Sequence, residues 1–90
     1  MANDNVHIIN VEDDPAVRIL TSSYLERAGY RVSEAATAGE FYGIFDQSGV
    51  DLVLLDLNLP DDDGMEVARR LRRHSNVPVI MVTARDGTHD

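Results

Sequence analysis

Four short aliphatic runs alternate with three amphipathic stretches along this chain, and that alternation limits the fold more than any other feature. Residues 6–11, 30–35, 50–55 and 77–82 are β-branched or aliphatic and bounded by polar or turn residues, which predicts strands. Between the first two, Asp14 stands as an N-cap with Pro15 at the first helical position. Gly29 stands where a left-handed C-cap belongs, so a helix is expected over 15–28. On a helical wheel Val17, Leu20, Thr21, Tyr24 and Ala28 share the inner face, while Arg18, Ser22 and Glu26 point away. The second amphipathic stretch, 38–48, opens with the capping box Thr37 to Glu40 and presents Phe41, Ile44 and Phe45 inward. The third, 64–74, follows Asp61, Asp62 and Asp63 and closes on Arg72, Arg73 and His74, charges that suit the two ends of a helix dipole. Val67, Ala68 and Leu71 form its apolar stripe.

The order β-α-β-α-β-α-β, with the third and fourth strands apolar on successive residues, calls for a parallel sheet covered on both faces. Right-handed crossovers make it an open, doubly wound α/β/α arrangement. In such sheets ligands gather at the carboxyl ends of the strands, beside the point where the strand order reverses. Here the first strand ends in Glu12, Asp13 and Asp14, the third in Asp56 and the fourth in Thr83. In the flavodoxin-like order 2-1-3-4 the first and third strands are neighbours, and their terminal acids meet in one crevice. Crowded carboxylates repel unless protons, solvent or a hard cation relieve them, and Mg²⁺ with oxygen ligands suits the task. A carboxylate beside Mg²⁺ and open to solvent can attack a phosphoryl group, which makes Asp56 the candidate nucleophile and Thr83 a donor to the developing charge.

Each of these residues also has a plainer reading. Acids at positions 12–14 suit a helix N-terminus by themselves, and Asp56 alone could be a solvated loop residue. Their coincidence at the ends of neighbouring strands, together with Thr83, favours the site. Asp61, Asp62 and Asp63 read as a loop and helix cap rather than metal ligands. Arg69, Arg70, Arg72 and Arg73 lie opposite the apolar stripe and read as a solvated face. His7, His74 and His89 lack partners at zinc spacing.

Composition narrows the function classes. Ninety residues, 43% hydrophobic and 27% charged, fit one globular domain. The absence of cysteine excludes thiolate sites, and a formal charge of −8 argues against direct contact with nucleic acid. Residues 1–5 lack the basic and apolar regions of a secretory signal, and no apolar run is long enough to cross a bilayer, so a cytoplasmic protein is expected.

The segment from Asp51 through Asp56 and Pro60 to Gly64, the acidic turn from Val11 to Pro15, and the run from Val79 to Ala84 together resemble the receiver domain of bacterial two-component response regulators. The likeness is greatest to regulators with a winged-helix DNA-binding output domain, and it covers the whole chain. It implies a CheY-like fold over 1–90 with Asp56 as phospho-acceptor and Asp13 as direct Mg²⁺ ligand. It further implies that Glu12 reaches the metal through water, that the backbone carbonyl of Asn58 completes the shell, and that Thr83 is the switch hydroxyl. Asn58 and Arg85 occupy positions that tune phosphoryl hydrolysis in the family. Receivers have five β-α units and a lysine ending the fifth strand; this chain has no lysine, and its fifth unit is expected to be missing.

The leading expectation is therefore a signalling module, not an enzyme, which takes a phosphoryl group from a sensor histidine kinase and switches an output. A phosphohydrolase on a similar sheet would carry its nucleophile in a DxD-type turn after the first strand, which this chain does not. The alternative is a phosphorylation-incompetent interaction module. Without a fifth strand, the fourth is an apolar edge, and the chain is expected either to fold poorly or to self-associate through that strand, as a homodimer, by sheet continuation or by exchange of segments.

Overall fold

The computed structural model describes residues 6–47 and 49–82. Its elements run β1 (His7–Val11), α1 (Pro15–Arg27), β2 (Arg31–Ala35), α2 (Ala38–Gln47), β3 (Leu52–Asp56), α3 (Gly64–His74) and β4 (Val79–Val82). The described strands form one parallel sheet in the order β2-β1-β3-β4. This is the CheY-like order expected from the sequence, with β1 and β3 side by side. Ile8 pairs with Leu52 and Val11 with Leu55, so both strands reach the same edge of the sheet at their carboxyl ends.

Strand periodicity divides the packing. Ile9, Val11, Val53 and Leu55 point to one face and join Ala35, Ala38, Phe41, Val67 and Leu71 in a continuous core beneath α2 and α3. Phe41 is wholly buried and stacks at a tilt against Tyr42 and Phe45, with ring centroids 5.4 and 5.5 Å away. Its burial alone contributes about 1.5–3 kcal/mol.

The caps follow the sequence closely. Asp14 accepts from the amides of Ala16 and Val17 at 2.9 and 3.3 Å. At the other end of α1, Gly29 takes φ 102°. Its amide donates to Glu26 and that of Tyr30 to Leu25, the paired bonds that close a helix with a left-handed residue. In α2, Thr37 accepts from the Glu40 amide, but Glu40 returns its carboxylate to the amide of Ala36 rather than to Thr37.

The wheel drawn for α1 is rotated from the real one. Leu20 and Tyr24 are 73% and 72% exposed, whereas Ser22, expected outside, is 2% exposed. The cause lies in β1: Asn10 points to the α1 side and is itself buried, and its Nδ2 donates to Ser22 Oγ and to the Arg18 carbonyl. A buried amide must find partners, and α1 turns its polar edge inward to supply them.

At the opposite end of β1, His7 is 3% exposed and joins three segments. Its Nδ1 donates to the Gly49 carbonyl and its Nε2 meets Ser33 Oγ, each at 2.7 Å, while its amide donates to Asp51 Oδ2 at 2.8 Å. The carbonyl can only accept, which fixes the proton on Nδ1.

Candidate functional site

The carboxyl ends of β1 and β3 bring Glu12, Asp13 and Asp56 together. Each offers a carboxylate oxygen, and these oxygens all lie within 4.8 Å of one another. Glu12 and Asp56 are buried, at 5% and 4% exposure, whereas Asp13 is exposed. Each buried acid keeps one backbone donor. The Asp14 amide donates to Glu12 Oε2 at 3.1 Å, and the Asn58 amide donates to Asp56 Oδ1 at 3.0 Å. The latter closes a turn at the end of β3 that also carries the Asn58 carbonyl.

Among the described residues these backbone donors serve a crowded carboxylate cluster in which Glu12 also shares a side-chain hydrogen bond with Asp56. Burial pushes the Glu12 carboxyl above its ordinary value, the Asp14 amide pulls it back, and the neighbouring Asp56 and Asp13 push it further up. The donor set is oxygen alone, it is anionic, and Asp13 opens it to solvent. Beside it lies a cleft of about 470 Å³ lined by Asp13, Leu57, Asn58, Leu59, Pro60, Asp62 and Asp63. These features fit a hard, partly hydrated divalent cation such as Mg²⁺. Thr83 and Arg85 lie outside the described residues, as does His89.

The acids after Asp56 do not join the cluster. Asp63 caps α3 through the Met65 amide at 3.0 Å. Asp61 reaches across to α2, where its two oxygens accept from the amides of Ala38 and Gly39 at 2.8 and 3.1 Å. The expectation of a loop and cap thus holds, with α2 rather than α3 as the helix that Asp61 serves. Those two amides hold the Asp61 carboxyl below its ordinary value. A lowered acid stabilises the fold above its unfolded value of 3.8, and the contribution disappears as pH falls through the lower folded value. Comparing wild type with Asp61→Ala by urea denaturation should give a constant stability gap from about pH 5 to 7 that closes below pH 3.8. A gap that persists unchanged at pH 2 would contradict the cap.

Arg70 lies on the exposed face expected for it and is engaged there. It meets Asp62 at 3.1 Å, Glu66 at 3.8 Å and the Tyr42 hydroxyl at 3.3 Å, tying α3 to the site loop and to α2. The hydroxyl contact and Asp62 raise its already high pKa. Arg18 is likewise engaged rather than pointing away, and local sequence windows cannot find it, because its partner Glu34 lies on β2.

Comparison with known proteins agrees with the geometry. The response regulator receiver domain model matches residues 8–90. The TorCAD operon transcriptional regulatory protein TorR of Escherichia coli K12 is 42% identical over 84 residues, which make up 93% of this chain and 36% of that protein. The transcriptional regulatory protein SrrA of Staphylococcus aureus NCTC 8325 is 40% identical over 78 residues, 87% of this chain and 32% of its own length. The chain therefore spans about a third of these relatives. Among solved structures, the response regulator TrrA from Thermotoga maritima in complex with Mg²⁺-BeF superposes with a TM-score of 0.83 at 32% identity, covering 90% of this chain and 71% of that one. Among the described residues no helix is long and apolar enough to cross a membrane. The strand order, the acidic cluster at the switch point and the match across residues 8–90 lead to one conclusion: this chain belongs to the response regulator receiver domain family.

Proposed function

We propose that this receiver accepts a phosphoryl group on Asp56 from the phosphohistidine of a sensor histidine kinase, with Mg²⁺ as cofactor. The observation that carries the reading is the convergence of the Glu12, Asp13 and Asp56 oxygens within 4.8 Å at the ends of adjacent strands. Asp13 and Asp56 would hold the metal directly, Glu12 through water, and the Asn58 carbonyl would complete the protein's share of the shell. When bound, Mg²⁺ neutralises the carboxylates and the charge that develops on the transferring phosphoryl oxygens.

The chain's own residues then do the following. The Asn58 amide engages one oxygen of Asp56 and leaves the other to attack phosphorus. As the new P–O bond forms, the P–N bond of phosphohistidine breaks, and its electron pair returns to the imidazole nitrogen. Thr83, next in sequence after β4, supplies the hydroxyl that follows the phosphoryl group. The protein acts as a stoichiometric acceptor, not an enzyme, in the cytoplasm. Residues 1–90 belong to one receiver domain. TorR and SrrA are transcriptional regulatory proteins, which supports an attached DNA-binding output. With a charge of −8 this domain would not itself touch nucleic acid.

Ile80, Met81 and Val82 of β4 are 51%, 36% and 37% exposed among the described residues, and we propose self-association through this strand, as a homodimer or by strand pairing. The alternative reading is a phosphorylation-incompetent interaction module. Both readings keep the metal site, so Mg²⁺ titration followed by amide NMR tests the site itself. Residues 12, 13, 56 and 58 should shift first. Shifts centred on 61–63 would overturn the assignment.

A further inference from the structure

We infer that Arg18 is a positioning residue for the acidic site, aiming Glu12 and Asp13 toward Asp56 by holding the backbone that carries them. This inference rests on Mg²⁺ binding at those carboxylates. The guanidinium folds back over the first turn of α1. Its Nη1 donates to the Glu12 carbonyl at 2.9 Å and approaches the Asp13 carbonyl at 3.5 Å, while Nε donates to Glu34 Oε1 on β2 at 3.1 Å. The side chain is only 18% exposed. Its main chain is fixed as well, because the buried Asn10 donates to the Arg18 carbonyl at 3.2 Å.

Three consequences follow from this arrangement. Fixing the carbonyls of residues 12 and 13 fixes two successive peptide planes, and with them the directions in which both side chains leave the backbone. The loop is thus ordered before any cation arrives, so binding does not have to order it. Secondly, the positive head engages carbonyls and Glu34 rather than the metal-facing carboxylates, so the cluster remains anionic and available. Finally, only a planar fork with several N–H donors spans β2 and the loop at once; an ammonium is a single point. Glu34, on a strand that contributes no candidate ligand, thereby becomes part of the support for the site.

The experiment measures Mg²⁺ affinity of the 90-residue chain from the amide shifts of residues 13, 56 and 58. It also records the thermal midpoint without metal, for wild type, Arg18→Met, Arg18→Lys and Glu34→Gln. Supporting partners of metal ligands are typically worth 10–100-fold in affinity, so Arg18→Met should weaken Mg²⁺ about tenfold. Arg18→Lys should recover part of that loss, and Glu34→Gln should weaken binding severalfold while the guanidinium is still present. A residue of merely structural importance would lower the midpoint and leave affinity alone. Wild-type binding together with a folded Arg18→Met chain of unchanged affinity overturns this inference alone. A flat wild-type titration overturns it together with the metal assignment. If Arg18→Met fails to fold, wild-type affinity in both Arg18→Lys and Glu34→Gln overturns it equally.

Discussion

Asp56→Asn is expected to abolish phosphoryl labelling. Incubated with Mg²⁺ and a small acyl phosphate, the wild-type chain should gain one phosphoryl mass, lost on mild alkaline hydroxylamine treatment as an acyl phosphate is, whereas Asp56→Asn should gain none. The cause is chemical rather than structural, because an amide is not a competent nucleophile. The exchange preserves size at a site with 4% exposure, and the asparagine carbonyl can still accept from the Asn58 amide. It also removes one of three crowded charges, so stability should hold or rise. Intact-mass measurement and urea denaturation on the same samples separate the two effects. Acid-stable phosphate on the Asp56→Asn chain would identify a hydroxyl as the acceptor. A wild-type chain that binds Mg²⁺ and takes no label favours the interaction-module reading.

Gly64→Ala should do comparable damage by a steric route. A Cβ at this position would stand 2.5 Å from the Asp56 carbonyl oxygen, 2.7 Å from Leu57 Cα and 3.1 Å from the Leu57 carbonyl carbon. All three are backbone atoms, so no flexible side chain can move aside. The requirement is for closeness rather than an unusual backbone angle, since the only positive φ among the described residues belongs to Gly29. The Gly64 amide also donates to the Leu57 carbonyl at 3.1 Å, and displacing α3 would stretch that bond. We expect a stability loss on the order of 3 kcal/mol, at the upper end for overpacking, with weakened Mg²⁺ binding because the end of β3 itself must shift. Gly43→Ala is the natural control: nothing lies within 4 Å of its Cβ, and removing a glycine from inside α2 should stabilise by about 0.5–1 kcal/mol. Equal urea midpoints for the two variants would disprove the close approach.

The parts of this molecule legible in the sequence are those governed by short-range rules. Strand and helix alternation, the Asp14 and Gly29 caps, and an apolar strand delivering Asp56 to the mouth of the sheet all depend on neighbours a few residues apart. Strand order then placed Glu12 and Asp13 beside Asp56 with no further information. The reading failed where polarity was satisfied at long range. Ser22 and Arg18 look like surface residues until Asn10 and Glu34 are seen facing them. Leu20 and Tyr24 look like core because a wheel weighs hydrophobicity and cannot see that an inward polar edge has partners. Asp61 belonged, by proximity, to α3; its bonds to α2 cross more than twenty positions of chain.

The joint at His7 has a mechanical meaning for the other end of β1. Because that side chain, at the amino end of β1, binds Ser33 in the middle of β2 and the carbonyl of Gly49 just ahead of β3, these three strands are tied together away from the acidic end of the sheet. A parallel sheet that slipped by one residue would turn its core face outward, and the clamp opposes that slip. Repulsion among the acids therefore cannot relax by sliding strands past one another. It is confined to the loops that follow β1 and β3, so gaining a cation or a phosphoryl group changes loop geometry over an unmoving base. The sheet behaves as a tuning fork gripped at the handle, free to respond only at the tips.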